Sequence, residues 1–268
     1  MRGLWLVVIA CVLVATPVGA AEPPALARAR ALYNTGDYDG AVAAAAQASN
    51  LPGAGDAAAL VEARARLERY RRSSDPDDLT TARDRLRSLR PSALSPRDQV
   101  DLLVGLGQAL YLGNQFGPAV ELFDTALRRT ATVSAVDRAL LLDWWATALD
   151  RSAQASSAER RPRLYDELDA RMDEELRLDP GSAPANYWRA VAKRGSGDID
   201  GAWDAAVAAW VRAPLGTATA TTLRVDIDRL VTQAIIPERV RTRPLSEQAE
   251  AVDALHAQWE LVKEQFAP

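Results

Sequence analysis

A chain of 268 residues with a formal net charge of −4 and no long run of one sign lacks the basic stripe that displaces counterions from nucleic acid, which argues against a nucleic-acid partner. A hydrophobic fraction of 48% supports a sizeable core, and 25% charged residues is an ordinary globular share. One cysteine and one histidine, the histidine with no evident triad or ligand partner, argue against a zinc site and a Ser-His-Asp machinery. The length suits one large domain or a repeat array. The Arg- and Ala-rich, Lys-poor usage fits a GC-rich bacterial genome.

Arg2 opens the chain with a positive charge, and Leu4 to Val14 (LWLVVIACVLV) forms a short apolar core. Thr16 and Pro17 break it, and Val18-Gly19-Ala20 offers small residues for a peptidase. That order reads as an export signal over residues 1–21, cleaved near Ala20 or Ala21. Two other readings stay open. Val8-Ile9-Ala10-Cys11 resembles a lipobox whose cysteine carries lipid, although apolar residues continue past it. Leu4 to Ala21 is also apolar enough to be kept as an anchor, against which stand Pro17 and the absence of Lys or Arg just after it. Cys11 is the sole cysteine, so a cleaved chain has no disulfide and depends on its core.

Beyond the leader almost nothing alternates with period two. Apolar residues recur at three and four, which is the helix signature. Leu26, Ala29 and Leu32 form one stripe, Gly36 supplies a turn, and Asp37 can cap a second helix carrying Tyr38, Ala41, Ala45 and Ala48 until Pro52. Residues 56–91 hold a longer opening helix, Ala57 to Arg71, followed by Leu79, Ala82, Leu86 and Leu89. Ser95 before Pro96 starts a helix with Leu103, Leu106 and Leu110 on one face. Gly113-Asn114 ends it, and another helix starts near Gly117-Pro118 with Ala119, Phe123, Ala126 and Leu127. Residues 134–180 place the polar stretch RSAQASSAERR between helices, then continue with Leu164, Leu168, Met172 and Leu176. Trp188 and Val191 precede Gly195 and Gly197, after which Ile199, Ala202, Ala206 and Ala209 run to Pro214. LGTATATT is then a polar connector, and Leu223, Ile227, Leu230, Val231, Ala234 and Ile235 make an amphipathic helix. Pro237 and Pro244 bracket a basic loop (ERVRTR), and a last helix carries Val252, Leu255, Trp259, Val262 and Phe266.

One phrase recurs, GDYDGAV at 36–42 and GDIDGAW at 197–203. A calcium loop needs further oxygen ligands and a closing bidentate Glu, which neither copy has, so both read as a helix-capping turn. His256 sits beside the Val252–Trp259 stripe without an evident partner. The acids from Asp166 to Glu175 are interleaved with Arg163, Arg171 and Arg177 at helical spacings, the pattern of a solvated, salt-bridged face. No Gly-rich phosphate loop, Walker pattern or nucleophile elbow is present. A paired-carboxylate site stays open, because such residues abound. Adjacent helical residues point about 100° apart, so one ring of Trp144-Trp145 packs between helices and the other flanks it or faces a groove.

Leu103-x2-Leu106-Gly107-x2-Leu110 followed by Ala119-x3-Phe123 resembles the tetratricopeptide repeat, and weaker versions cover residues 22–214. The resemblance implies an all-α, right-handed superhelix of about five stacked antiparallel helix pairs over 22–215, closed by capping helices over 216–268. It implies a concave surface that holds a peptide, to which the opening helices would contribute Arg30, Tyr33, Gln108, Tyr111, Tyr187 and Arg194, with Trp144 or Trp145 as a further candidate. A regular Lys and Asn set for a terminal carboxylate is missing. The expected function is non-catalytic binding of a protein or peptide partner in the bacterial envelope, periplasmic or secreted, with no cofactor. An accessory subunit of an envelope complex or transporter, docking through its C-terminal helices, is the alternative, and an enzyme comes third. A membrane enters only through an uncleaved or lipidated N-terminus.

Overall fold

In the computed structural model, which describes residues 22–129, 135–213 and 220–267, every regular element among the described residues is helical. The apolar leader with Cys11, the break at Pro214 and most of the polar connector lie outside them. The order is α1 (Pro24–Asn34), α2 (Tyr38–Ala48), α3 (Gly55–Ser73), α4 (Pro76–Ser88), a 3-10 turn (Pro91–Ala93), α5 (Pro96–Leu112), α6 (Phe116–Leu127), α7 (Ala135–Gln154), α8 (Arg161–Leu178), α9 (Ala183–Ser196) and α10 (Ile199–Arg212). Then come α11 (Ala220–Leu230), a π-helical segment (Val231–Ile235), α12 (Ile236–Val240) and α13 (Leu245–Gln265). No helix among the described residues is long and apolar enough to cross a membrane.

The repeated phrase is a capping turn in both places. Gly36 and Gly197 take φ of +79° and +93°, a left-handed conformation that glycine adopts without steric cost. The next residue caps the following helix, Asp37 Oδ1 accepting from the Gly40 amide and Asp198 Oδ1 from the Gly201 amide, each at 2.9 Å. The last glycine of the phrase is required by that cap, because a Cβ at residue 40 or 201 would lie 2.4 Å from the capping carboxylate. The second aspartate pairs with an arginine of a later helix, Asp39 with Arg69 at 3.2 Å and Asp200 with Arg239 at 2.7 Å.

Each helix from α1 to α11 packs on its successor in sequence. The odd helices also touch one another in turn, α1 with α3, α3 with α5, α5 with α7, α7 with α9 and α9 with α11. This changes the expected stripe on α5. Leu102 and Ala109 are buried, whereas Leu103, Leu106 and Leu110 are only partly so, since α5 is covered by α3, α4, α6 and α7 rather than on one side. Small residues set the close approaches. Ala41, Ala44, Ala45 and Ala48 are buried on α2, between α1 and α3. Gly107 on α5 takes the Phe123 ring of α6, and Gly195 on α9 takes the Tyr165 ring of α8.

Three local expectations change. The opening helix of the second hairpin extends to Gly55–Ser73. The polar stretch after Asp150 is partly helix, with α7 continuing to Gln154 and α8 starting at Arg161, which leaves 155–160 as the connection. The stretch after Pro237 is a loop only in its second half, because Ile236–Val240 is helical and the turn is confined to 241–243. Proline has no N–H and clashes with the carbonyl four residues back, and here the helix widens to a π-turn just before Pro237 instead of ending. That lets Val231, Ile235 and Ile236 stay buried against α10 with Ile227, Trp203, Trp210 and Trp259. The acids of α8 bond to neighbouring helices as well as their own, Asp169 meeting both Arg189 and Lys193 of α9 at 3.1 Å.

Candidate binding groove

The odd helices α1, α3, α5 and α7 enclose a groove of about 820 Å³. Its apolar surface comes from Leu26 on α1, Val61 on α3, Val100 and Val104 on α5, and Leu141 and Trp144 on α7. Leu140 stands at its edge with 59% of its surface exposed, one of the few large apolar side chains left open.

Charged side chains tie the groove together across several hairpins. The Arg30 guanidinium on α1 lies 2.8 Å from Asp98 at the start of α5 and 2.7 Å from Glu22. Asp98 also accepts from the Ser95 hydroxyl at 2.9 Å, and that hydroxyl caps the Asp98 amide. Burial works against the charge on Arg30, yet Asp98 and Glu22 hold its proton above the ordinary arginine range. On α3, Arg64 pairs with Asp101 of α5 at 2.8 Å and covers the Tyr33 ring at 4.8 Å. Burial pushes the Tyr33 phenol up, with Arg64 pulling the other way. Further along α3, Arg71 lies 5.1 Å over the Trp144 ring and pairs with Glu68 at 2.8 Å. Arg30, Arg64 and Arg71 are therefore each matched by a carboxylate inside the groove, and two ring faces are already covered.

One deeply buried polar side chain of the groove, unlike Asp98, is held by no ion pair. Gln108 lines it from α5 with only 4% of its surface exposed, and its Oε1 finds no hydrogen-bond partner among the described residues. Backbone and side-chain polar groups so deeply placed are nearly always bonded.

The structure brings Arg30, Tyr33, Gln108 and Trp144 to one groove. Tyr111 stands behind it, edge-on to both Trp144 and Phe116 at 5.3 Å. The other three candidates lie elsewhere. Trp145 is 2% exposed in the core, with Arg171 at 5.4 Å from its ring. Tyr187 packs edge-on against Trp188 at 5.2 Å; burial, helped by Asp226, Asp150 and Asp143, pushes its phenol up to about 12. Arg194 is bonded to Glu238 of α12 at 2.6 Å. No protein-family model and no curated protein matches this chain.

Sequence reasoning missed Arg64, Arg71, Asp98, Asp101 and Leu140. A signal for the first was present, since Val61, Arg64 and Glu68 follow one another at three and four, the spacing of a single helix face. Among the described residues no group of three or more His, Cys, Asp or Glu is placed to hold a metal ion.

Proposed function

We propose that this chain is a non-catalytic scaffold of the tetratricopeptide type, which holds an extended segment of a protein partner in the groove between α1, α3, α5 and α7. In this reading the hairpins stack as a right-handed superhelix with the odd helices inside, and α11 to α13 close its end. The export signal is cleaved near Ala20 or Ala21, and the protein works in the bacterial envelope without a cofactor.

The observation that carries the reading is that the groove takes its walls from the first helix of four successive hairpins. Repeats that stack in one direction leave such a continuous inner face, and extended chains are the ligands that follow it. Apolar and ion-paired side chains alternate along this face, and the mostly exposed Leu140 at its edge supports a binding role.

Linear peptides selected against the protein from a random display library test this. Leu140→Asp changes a side chain that is mostly exposed, so the thermal midpoint stays close to that of the parent, within about 0.5 kcal/mol. Titration of the selected peptides shows binding about tenfold weaker or worse, the cost of losing an apolar anchor. Peptides that ignore Leu140→Asp but lose binding when the exposed Leu245 and Leu261 of α13 are made Asp would point to docking through the C-terminal helices instead.

A further inference from the structure

We infer that the groove selects an uncharged, extended peptide segment by its main chain, and that the buried side-chain amide of Gln108 is the group that reads it. This rests on the groove reading above and names the chemistry of its occupant.

The argument begins with what the groove has already satisfied. Arg30 is held by Glu22 and Asp98, Arg64 by Asp101, and Arg71 by Glu68. An acidic ligand that took Arg30 from Asp98 would leave that carboxylate, 5% exposed, buried without its partner. A basic ligand would meet the reverse problem. A sugar or a nucleobase needs a free ring face on which to stack, yet the Tyr33 ring carries Arg64 and the Trp144 ring carries Arg71 and the edge of Tyr111. Charge and stacking are thus both spent inside the groove.

The Gln108 amide is what remains. It offers one acceptor oxygen and two N–H donors, and half a turn about its last torsion exchanges them. A peptide unit carries the complementary set, one N–H and one C=O. Holding an unbonded amide in a nearly dry position costs free energy, and a leucine of similar size at position 108 would remove that cost. Val104 lies one turn before it on α5, and Trp144 and Leu140 line the same groove from α7. Alternate side chains of an extended segment would rest on those surfaces while its backbone meets the amide.

The test uses a peptide of alternating Leu and Ser, N-acetylated and C-amidated, titrated into the protein by calorimetry. Versions with a free C-terminal carboxylate, with Asp in place of Ser, and with a single N-methylated backbone amide at each position in turn are compared. The expected result is that the blocked peptide binds and the carboxylate and Asp versions bind no tighter. One N-methylated position weakens binding about tenfold or more, as leaving a buried amide unpaired does. Gln108→Leu weakens the blocked peptide by a similar factor, removes the effect of that N-methyl group, and leaves the thermal midpoint unchanged or higher. A flat N-methyl scan on the unsubstituted protein overturns the inference without needing any variant. So does a Gln108→Leu protein that melts lower but binds as before, or tighter binding of the acidic versions. If library-selected peptides respond to Leu140→Asp while Gln108→Leu and N-methylation do nothing, the groove stands and this inference falls. If no peptide of any kind binds, both fall.

Discussion

Trp259→Ala lowers the unfolding free energy by about 3–5 kcal/mol, the range for emptying a large aromatic site in a core. Trp259 is fully buried although it lies on the last helix, because α13 packs on α12 and brings this ring against residues of α10 and α11. Its ring meets Trp210 at 5.4 Å and Trp203 at 6.0 Å, both edge-on at 70°, and such pairs add about 0.5–1.5 kcal/mol each beyond their buried area. Its indole N–H donates to Asp228 at 2.8 Å, an oxygen that also meets Lys263 at 3.1 Å. Truncation therefore opens a cavity under three elements and strips a donor from a carboxylate that keeps one cation. Trp259→Phe retains most of the ring contact and loses the hydrogen bond, so it falls well short of the Ala variant. Urea denaturation measures both. A midpoint shift worth less than about 1 kcal/mol for Trp259→Ala, against the 3–5 expected, would mean that α13 is not part of the core.

Gly107→Ala is destabilising even though alanine is the better helix former by about 1 kcal/mol. A Cβ at residue 107 would lie 2.6 to 2.9 Å from three atoms of the Phe123 ring, closer than real side chains sit. That ring is fully buried and packs against Trp144 at 6.0 Å, so it cannot withdraw cheaply. Overpacking of this kind costs about 1–3 kcal/mol, which exceeds or cancels the helix gain. Phe123→Ala costs more, about 3–5 kcal/mol, by leaving a void between α5, α6 and α7. The decisive comparison is the double variant. Once Phe123 is Ala the clash is gone, and Gly107→Ala then stabilises by about the helix difference, 1 kcal/mol. A sign reversal between the two backgrounds, read from urea midpoints, identifies the contact; equal effects in both would rule it out.

The hairpins were legible because their punctuation is local. Gly36-Asp37 and Gly197-Asp198 turn and cap within four residues, and the serine at 95 with the proline at 96 marks a helix start by rules that need no partner. The two tryptophans were separable for the same reason, since the turn of one helix sends Trp145 into the core and leaves Trp144 on the groove. What was not legible depends on elements that meet far apart in sequence. Arg30 and Asp98 belong to the first and third hairpins, and nothing near either residue announces the other. Arg194 sits in the last turn of its opening helix, which suggested the inner face; only the continuation of the chain through Pro237 as helix brings Glu238 to it. Leu140 reads as one more apolar residue of an amphipathic helix, and its exposure follows from where α7 stops being covered.

The most direct test of the account is site-specific photo-crosslinking of a bound peptide. A benzophenone side chain replaces either Leu140, 59% exposed at the groove, or Leu178, 77% exposed at the end of α8 and outside it. Both positions are open enough to accept the label without disturbing the core. A peptide selected for binding, irradiated with each labelled protein, attaches at position 140 and not at position 178 if the partner lies between α1, α3, α5 and α7. Attachment at 178, or equally at both, would contradict that placement.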